Sequence, residues 1–421
     1  MTSTDTYTPN IHPVIIGGDI GVYALARSFH ESYGITSTIL CESITQAIDN
    51  SSICSPQVVS IKRNGANLIK ALKETATSIH NNTPQAQLIC LTNSDFYVSL
   101  ITQHKSTIEE LGYFIPFPSY ETFQRVSDKQ EFALLAHDVQ MKTPQTQSVD
   151  FSHSTNDTWK IPEPHITFPL IGKPALSSYW AQIHFEGKEK ISHITTYEEY
   201  IHLMNTLREA GFCGEYLLQE LIPGDDTTQR SVTAYVNQHG KVTLLASAHV
   251  LLEDHTAAAA GIPNAMISTR DDALLAPVQA FLESIDYHGF ANFDAKVDPR
   301  TNEVVFFEVN PRIGRNNYYV HASGASPAQA IANDIKDVDT PVAYGQEEAL
   351  YSTVPSRLLQ KYLTPTEKTK VRHLIKQKKY NHPLVYSTEQ SLKRKIYILL
   401  SYAKHIYKYR KAYPKRTESG F

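Results

Sequence analysis

The stretch FFEVNPRIGRNN, residues 306–317, combines the pattern of a buried strand with a dense group of polar and charged side chains. Two Phe residues and a Val surround Glu308, so the segment predicts a buried strand that a carboxylate interrupts. Asn310, Arg312 and Arg315 follow directly. A buried acid beside two arginines is costly unless a charged group lies between them. The stretch therefore predicts a strand that ends in a binding site for a charged ligand.

The strand predicted before this one contains Asp294, and the residues DPRTN between the two strands are typical of a hairpin turn. Antiparallel neighbours of this kind place Asp294 within about 5 Å of Glu308, and a two-residue spacing puts Asn310 on the same face. Two carboxylates and an amide oxygen suit Mg²⁺. Arg312 and Arg315 supply the donors that oxyanions prefer. The pattern predicts Mg²⁺ with a nucleoside triphosphate; a structural salt-bridge cluster is the alternative.

The composition is that of an ordinary soluble globular chain. Its 421 residues, 41% hydrophobic and 19% charged, are enough for two or three domains. The four cysteines (Cys41, Cys54, Cys90 and Cys213) lack metal-ligand spacing, so we expect reduced thiols in a cytoplasmic protein. The first residues lack the apolar core of a signal peptide, and no apolar run reaches about 18 residues, so we expect no membrane-spanning helix.

The first part of the chain alternates between short apolar strands and helical segments. Strands are predicted at 14–16, 37–40 and 86–92, with helical stretches between them, which favours a parallel sheet. The Gly-rich turn at 17–21 lacks the full Gly-x-Gly-x-x-Gly pattern of a dinucleotide site. A plain turn that leads into a helix is therefore the favoured interpretation of these glycines.

After about residue 120 the pattern changes to strands, one amphipathic helix and a hairpin. Residues 151–165 are polar and Pro-rich and predict a loop. The helix is predicted near 195–211 with Gly211 as its stop, and the hairpin turns at 238–240. Residues 255–269, HTAAAAGIPNAMIST, are mostly small, and we expect a flexible loop that closes over a site.

The segment FFEVNPRIGR resembles the metal and phosphate motif of ATP-grasp enzymes, including the large chain of carbamoyl-phosphate synthetase. Other landmarks of that family occur in the expected order: Lys129 in SDKQEF, Lys173 in FPLIGKPA, and the hinge-like strand LLQELIPGDD. The resemblance covers about residues 10–335. Each of these segments alone is only weakly specific for the family. Their occurrence in the expected order along one chain is strongly specific. This chain has one such region where carbamoyl-phosphate synthetase has two, which argues against carbamoyl phosphate as the product.

The resemblance implies an α/β chain with an ATP-grasp fold and a set of site residues. The implied domains are a Rossmann-like pre-ATP-grasp domain at 1–120, an ATP-grasp domain at 121–340 with a small subdomain at about 150–225, and a basic helical extension at 341–421. The implied metal ligands are Asp294, Glu308 and Asn310, and the implied catalytic residues are Arg312, Arg315 and Arg270. The implied nucleotide contacts are Lys129, Lys173, Gln219, Glu220, Leu221, Ile222 and Asp226.

The chemistry that the resemblance implies is formation of an amide at the expense of ATP. The γ-phosphoryl group of ATP moves to a carboxylate, and an amine then attacks the acyl phosphate, which yields an amide, ADP and phosphate. Mg²⁺ and the arginines stabilise the charge on the transferring phosphoryl oxygens. The loop at 255–269 would exclude water, which hydrolyses acyl phosphates.

Within the family, IIGGDIGVYALARSFH and RIGRNNYYVHASG look most like the bacterial D-aspartate ligase group. Those enzymes join D-aspartate, through its β-carboxylate, to a side-chain amine of a peptidoglycan precursor. The implied partners are a small carboxylate such as D-aspartate and a UDP- or lipid-linked muropeptide. The alternatives are another carboxylate–amine ligase, such as a dipeptide-forming one, a non-catalytic nucleotide-binding scaffold, and a small-molecule kinase.

The end of the chain differs in charge from the rest. From Arg357 onward there are 17 Lys and Arg against 3 Asp and Glu, whereas the first 356 residues have 22 against 40. The helical pattern near 390–416 has an apolar stripe (Leu392, Ile396, Leu399, Ala403 and Ile406) and a basic stripe (Lys404, Lys408 and Lys411). A helix packed on the body and a helix on an anionic membrane surface are the two main interpretations. Nucleic acid is not expected as a partner, because the acidic body would repel it.

Overall fold

The structure, a computed structural model, describes residues 9–62, 64–175, 177–189, 191–256, 259 and 261–417. The chain forms two compact units, one made of Met1–Met141 with Gly224–Phe421 and the other of Lys142–Pro223. The four cysteines are free thiols, as expected. No helix among the described residues is both long enough and apolar enough to cross a membrane.

The N-terminal part of the first unit is a five-stranded parallel sheet in the order β3-β2-β1-β4-β5, which confirms the predicted parallel sheet. Sequence reasoning missed β3, because Pro56 weakens its strand pattern; β3 lies at the sheet edge, where proline is tolerated. The elements are β1 Ile11–Ile16, α1 Ile20–Tyr33, β2 Ser37–Cys41, β3 Cys54–Val58, α2 Gly65–Asn82, β4 Gln87–Thr92, α3 Asp95–Gln103, α4 Lys105–Glu110, β5 Tyr113–Phe114, α5 Tyr120–Ser127 and α6 Lys129–Asp138.

The second unit is a four-stranded antiparallel sheet in the order β6-β9-β7-β8. The predicted amphipathic helix forms as α8, which begins after the N-cap Thr196 and buries Tyr200, Met204 and Leu207. The elements of this unit are β6 Thr146–Asp150, β7 Leu170–Pro174, α7 Ser177–Gln182, β8 Ser192–Ile194, α8 Tyr197–Glu209 and β9 Glu215–Glu220.

The rest of the first unit is built on an eight-stranded sheet in the order β14-β13-β10-β11-β12-β16-β17, with β15 paired to β11. The predicted hairpin is confirmed as β10 and β11. A 3-10 turn, Asp226–Thr228, precedes β10. The elements are β10 Gln229–Val236, β11 Val242–Glu253, β12 Pro263–Ser268, α9 Asp272–Glu283, β13 Gly289–Val297, β14 Val304–Asn310, α10 Tyr318–Ala322, α11 Pro327–Ile335, β15 Ala343–Tyr344, β16 Leu350–Ser352, α12 Ser356–Leu359, α13 Pro365–Lys376, β17 Tyr380–Asn381 and α14 Leu392–Ala412.

The prediction of one flexible loop over residues 255–269 was wrong for its second half. Residues Pro263–Ser268 form β12, which pairs with β11 on one side and β16 on the other. Its small residues resemble a loop in sequence, but pairing on both edges buries the backbone and fixes the strand. Residues 257, 258 and 260 of the predicted loop lie outside the described residues.

The C-terminal helix α14 is fixed to the body at both ends. Near its start the buried Arg394 donates to the carbonyls of Ala47 and Asp49 at 2.9 and 3.0 Å. Near its end Lys408 pairs with Asp254 at 2.6 Å, and the Tyr409 hydroxyl is buried. The packed-helix interpretation therefore describes how α14 is held.

Most of the apolar stripe predicted for this helix is exposed, although Ile406 packs against a hydrophobic core of the first unit. Leu392 and Leu399 are 71% and 66% exposed. Residue spacing correctly predicted an apolar stripe on the helix, but it does not determine which side of the helix packs against the body. The buried side chains of α14, Arg394 and Tyr409, are a cation and a phenol.

Candidate active site

One face of the large sheet is polar where β10, β13 and β14 lie side by side. Along β13, Asn292, Asp294 and Lys296 alternate with buried apolar residues and so share this face. In the pairing registers Asp294 lies opposite Glu308, and Asn292 lies opposite Asn310. The other face of these strands packs into a hydrophobic core with α9, which holds the polar residues in place.

The two carboxylates and the amide predicted as metal ligands lie together on this polar face. The Asn310 amide Nδ2 donates to Asp294 Oδ2 at 3.1 Å, and Asn292 Nδ2 donates to Asp294 Oδ1 at 3.3 Å. Lys129 Nζ lies 3.8 Å from Glu308 Oε2. One expectation needs correction: Glu308 is not buried, because its side chain is 45% exposed, while Asp294 is the more enclosed acid. A bulge in the pairing after Asp294 accompanies this difference.

The electrostatics of the carboxylate pair favour a bound cation. Burial raises the pKa of Asp294, and the nearby Glu308 carboxylate raises that pKa further. Two carboxylates that share a site repel each other unless a proton or a cation lies between them. A bound cation would therefore stabilise the two carboxylates in their ionised forms.

The donor set was compared with the ligands that Mg²⁺ takes. Among the residues that the structure describes, no group of three His, Cys, Asp or Glu side chains is arranged to hold a metal. Mg²⁺ is usually bound by one or two carboxylates, with water and phosphate oxygens as the other ligands. The set of Asp294, Glu308 and Asn310 fits that pattern.

The two arginines after β14 each reach a carboxylate of the N-terminal sheet domain. Arg312 donates through a terminal nitrogen to Asp95 Oδ2 at 3.0 Å and to Asn310 Oδ1 at 3.1 Å, and its Nε lies 2.8 Å from Asp95 Oδ1. Arg315 Nε donates to Asp19 Oδ2 at 3.1 Å. Arg312 is therefore oriented beside the polar face, and both guanidinium groups are held by acids that ligand oxygens could displace.

Sequence reasoning missed Asp19 and Asp95, although a signal for them exists. Asp19 follows β1 and Asp95 follows β4, and these adjacent parallel strands are where the strand order reverses. Ligands of open α/β sheets bind outside the carboxyl ends of strands at such a switch point. Acidic residues at the start of the helices after β1 and β4 could have been singled out on this ground.

Gly21 lets the arginine segment approach the first helix. A Cβ on Gly21 would lie 2.8 Å from the Arg315 carbonyl oxygen and 2.9 Å from its Cα. The Asn317 amide donates to the Gly21 carbonyl at 3.0 Å, and the Asp19 side chain accepts from the Gly21 N–H at 2.9 Å. These contacts explain the glycine by close packing, in agreement with the interpretation of a plain turn.

The residues predicted to contact the nucleotide in the second unit lie on neighbouring strands. Lys173 on β7 donates through Nζ to Gln219 Oε1 on β9 at 2.9 Å. The Glu220 N–H donates to the Gln145 carbonyl at 2.8 Å, and the Leu221 N–H donates to the Pro169 carbonyl at 3.3 Å. Ile222 is buried. The end of β9 is thus an ordered backbone segment with Lys173 beside it.

The two remaining predicted residues have contacts elsewhere in the first unit. The buried Asp226 accepts from the Glu253 N–H at 2.9 Å, and its Oδ2 lies 2.9 Å from His255 Nε2. Arg270 donates to Asp272 at 2.9 Å, and its guanidinium lies 4.0 Å from the centre of the Tyr344 ring. Each side chain therefore has a structural partner of its own.

Glu253 is a further acid that sequence reasoning missed. Burial raises its pKa to about 8, and the neighbouring Asp226 and Asp294 carboxylates contribute to the rise. Its place at the end of the long strand β11 gave no local signal. Glu253 adds to the acidic character of the region around Asp294.

The fold was compared with solved structures. L-amino acid ligase from Bacillus licheniformis has a TM-score of 0.51 at 14% identity and covers 78% of this chain and 75% of its own. N5-carboxyaminoimidazole ribonucleotide synthetase from Thermotoga maritima has a TM-score of 0.52 at 14% identity and covers 81% of this chain and 79% of its own. These likenesses establish the fold class, which is the α/β ATP-grasp fold with a Rossmann-like N-terminal domain.

The sequence comparison then identifies the family. No protein-family model matches the chain. D-aspartate ligase of Enterococcus faecium (strain Aus0004) is 30% identical over 403 residues, which are 94% of each chain. The chain belongs to the ATP-grasp family of carboxylate–amine ligases, enzymes that form C–N bonds. The resemblance predicted from the motifs is confirmed.

Replacing Gly21 with alanine tests how the arginine segment is held. The new Cβ would meet the Arg315 backbone, so we expect a loss of about 1 to 3 kcal/mol in the free energy of unfolding. ATP turnover should fall as well, because Arg315 would be displaced. Gly34→Ala at the other end of α1 shows the effect of backbone strain without a clash, since no atom lies within 4 Å of its added Cβ but its φ of 68° disfavours alanine. Melting curves and turnover of the Gly21→Ala protein that match those of the unmodified protein would contradict the packing argument.

Proposed function

We propose that this chain uses ATP and Mg²⁺ to join D-aspartate to the side-chain amine of a peptidoglycan precursor. The observation that carries the proposal is the alignment with a D-aspartate ligase over 94% of both chains. The geometry of the polar face supports it, since two carboxylates, an amide and Arg312 lie together where β13 pairs with β14.

The proposed roles follow from the charges of the site. Asp294, Glu308 and Asn310 would hold Mg²⁺, which when bound supplies positive charge to phosphate oxygens. Arg312 and Arg315 would exchange Asp95 and Asp19 for the oxygens of the substrate carboxylate and the transferring phosphoryl group. Both pairs lie partly exposed, so this exchange costs little desolvation.

The proposed nucleotide contacts keep the residues that the family resemblance implies. Lys129, which begins α6, would neutralise phosphate charge near Glu308. Lys173 would contact nucleotide phosphates, and the chain from Gln219 to Ile222 would contact the adenine through its backbone. The proposal gives the chemistry to Arg312 and Arg315, because they directly follow the strand that carries Glu308 and Asn310.

The reaction has two steps, and each step forms one bond and breaks another. A substrate carboxylate oxygen attacks the γ-phosphorus, the bond to the β–γ bridging oxygen breaks, and ADP leaves. The acceptor amine then attacks the acyl carbon, the bond to the phosphate oxygen breaks, phosphate leaves, and the amine loses a proton to solvent. The protein acts mainly by positioning the groups and stabilising their charge.

The acceptor in this proposal is a UDP- or lipid-linked muropeptide. The lipid-linked form would bring the enzyme to an anionic membrane surface. The exposed Leu392 and Leu399, which belong to the basic C-terminal part of the chain, support contact with such a surface.

A hydroxylamine assay tests the activation step without the acceptor. Hydroxylamine attacks an acyl phosphate to give a hydroxamate, which forms a coloured Fe³⁺ complex. With ATP and Mg²⁺ we expect hydroxamate and ADP from D-aspartate, and much less from L-aspartate or other amino acids. AMP and pyrophosphate as products would contradict an acyl phosphate. A preference for other amino acids would favour a dipeptide-forming ligase, and no ADP release with any carboxylate would favour a non-catalytic scaffold.

A further inference from the structure

One face of α14 forms a wall of a large cavity in the first unit. The cavity has a volume of about 1010 Å³. Lys393, Ile396, Leu400 and Lys404 line it at intervals of three and four residues, which is the spacing of one helical face. Arg315, one of the two proposed catalytic arginines, lines the same cavity. Arg315 therefore links the cavity wall formed by the C-terminal helix to the candidate active site.

The charges of the cavity wall leave two lysines without an ion-pair partner. Arg315 is paired with Asp19, and Lys408 is paired with Asp254. Within the described ranges, neither Lys393 nor Lys404 forms a hydrogen bond or an ion pair, and both are exposed. A third carboxylate, Asp49, also lines the cavity, so the wall is not uniformly basic. The two free ammonium groups are placed to receive anionic oxygens of a ligand.

The remaining lining of the cavity is largely apolar, and two of its histidines are neutral near pH 7. Ile396 and Leu400, which are 48% and 63% exposed, lie on the helix between the two lysines. Burial lowers the pKa of His405 to about 4 and that of His382 to about 3. The wall therefore offers positive charge at two points with apolar surface between them.

The size of the cavity suits the larger of the two substrates. Pockets of about 300 to 1,000 Å³ enclose ligands of drug size, far larger than a single amino acid. Because Arg394 and Lys408 fix α14 at both ends, this wall is part of the fold. The cavity is accordingly larger than the activated carboxylate requires, and it extends from Arg315 along the helix.

We propose that this cavity binds the amine acceptor, and that Lys393 and Lys404 recognise a phosphate-bearing group on that acceptor. The inference rests on the proposed function, which places the amine transfer near Arg315. It adds the place of recognition: the phosphate oxygens of the acceptor lie at the two lysines, and an apolar part packs on Ile396 and Leu400. Recognition by two lysines makes the phosphate group a determinant of acceptor choice.

Two acceptors that differ in the UDP group test this inference. One is the UDP-linked muropeptide, and the other is the same peptide without UDP. We expect the intact enzyme to prefer the UDP-linked acceptor in kcat/KM by about tenfold or more, since each charge-assisted bond contributes appreciably. The double variant Lys393→Glu/Lys404→Glu should lose most of this preference. Equal use of both acceptors by the intact enzyme would overturn the inference.

A matched double variant on the same helix controls for net charge. Lys395→Glu/Lys411→Glu makes the same charge change at exposed positions of α14 that do not line the cavity. It should keep the preference for the UDP-linked acceptor. If both double variants lose the preference equally, general charge and not the cavity is responsible, and the inference fails. If the Lys393→Glu/Lys404→Glu variant unfolds at a lower temperature than the unmodified protein, the milder Lys404→Ala variant replaces it.

The hydroxamate assay separates failure of this inference from failure of the proposed function. The quantity compared is the ratio of transfer to the acceptor over hydroxamate formation, which should fall in the cavity variant alone. If the intact protein forms no hydroxamate, the proposed function fails. In that case, binding of the UDP-linked peptide, measured by calorimetry, still tests the role of the cavity. Binding that is unchanged in the Lys393→Glu/Lys404→Glu variant would overturn the inference.

A further experiment with a lipid-linked acceptor distinguishes the two possible sources of the phosphate group. The same peptide on a diphosphate lipid, in phosphatidylcholine vesicles, is compared with the UDP-linked form. A preference for the lipid form that depends on Lys393 and Lys404 assigns the cavity to the membrane-bound acceptor. A preference for the UDP form with the same dependence assigns it to the soluble one.

Discussion

Replacing Glu308 with glutamine should reduce ATP turnover on the order of 1000-fold, because one charged oxygen ligand of the proposed metal site is lost. Glutamine keeps the size of the side chain, so the packing of β14 is retained. The Mg²⁺ concentration for half-maximal residual activity should rise. Stability should not fall, since removing the Glu308 charge relieves its repulsion of Asp294. Turnover and melting temperature, measured together, separate the two effects.

Glu303→Gln is the matched control for this change. Glu303 is an exposed residue of the turn between β13 and β14, so it lies on the same hairpin as Glu308 but away from the polar face. We expect its turnover and Mg²⁺ dependence to match the unmodified protein. Normal turnover in the Glu308→Gln protein would show that Glu308 does not bind the metal and would remove the central residue of the proposed site.

Replacing Arg312 with methionine should lower turnover by roughly 100- to 1000-fold, the loss typical of a donor that stabilises transition-state charge. In the ligand-free protein Arg312 bridges Asp95 and Asn310, so the variant also leaves two acceptors without their donor. Asp95 is 55% exposed and can be hydrated, so the loss of stability should be small. The effect should be on kcat more than on KM for ATP if Arg312 acts in the transition state.

Arg300→Met controls for loss of an arginine ion pair on the same hairpin. Arg300 pairs with Asp298 at 2.7 Å in the turn before β14. Its replacement should lower stability, because the buried Asp298 carboxylate loses its ion pair with Arg300, but turnover should hardly change. Hydroxamate formation by the Arg312→Met protein at the normal rate would show that Arg312 serves only to join β14 to the N-terminal sheet domain.

The sequence alone could predict much of the site because its central residues lie on one hairpin. A two-residue period assigns Asp294 and Asn310 to their faces, and a short turn brings the two strands into register. These relations involve neighbours along the chain, so local patterns suffice to predict them. The hairpin of β10 and β11, the parallel sheet and helix α8 were predictable for the same reason.

Contacts between distant parts of the chain were decided by the tertiary structure. Asp95 meets Arg312 across 217 residues, and Asp19 meets Arg315 across 296. No local periodicity encodes such pairs, because they depend on where the N-terminal sheet packs against the end of β14. The orientation of α14 is a further case: its sequence contains an apolar and a basic stripe, but packing buried Arg394 and turned Lys393 and Lys404 toward the cavity. The sequence thus determined the strands, helices and ligand types through neighbour relations, whereas tertiary packing decided which charges are paired and which remain free to bind a substrate.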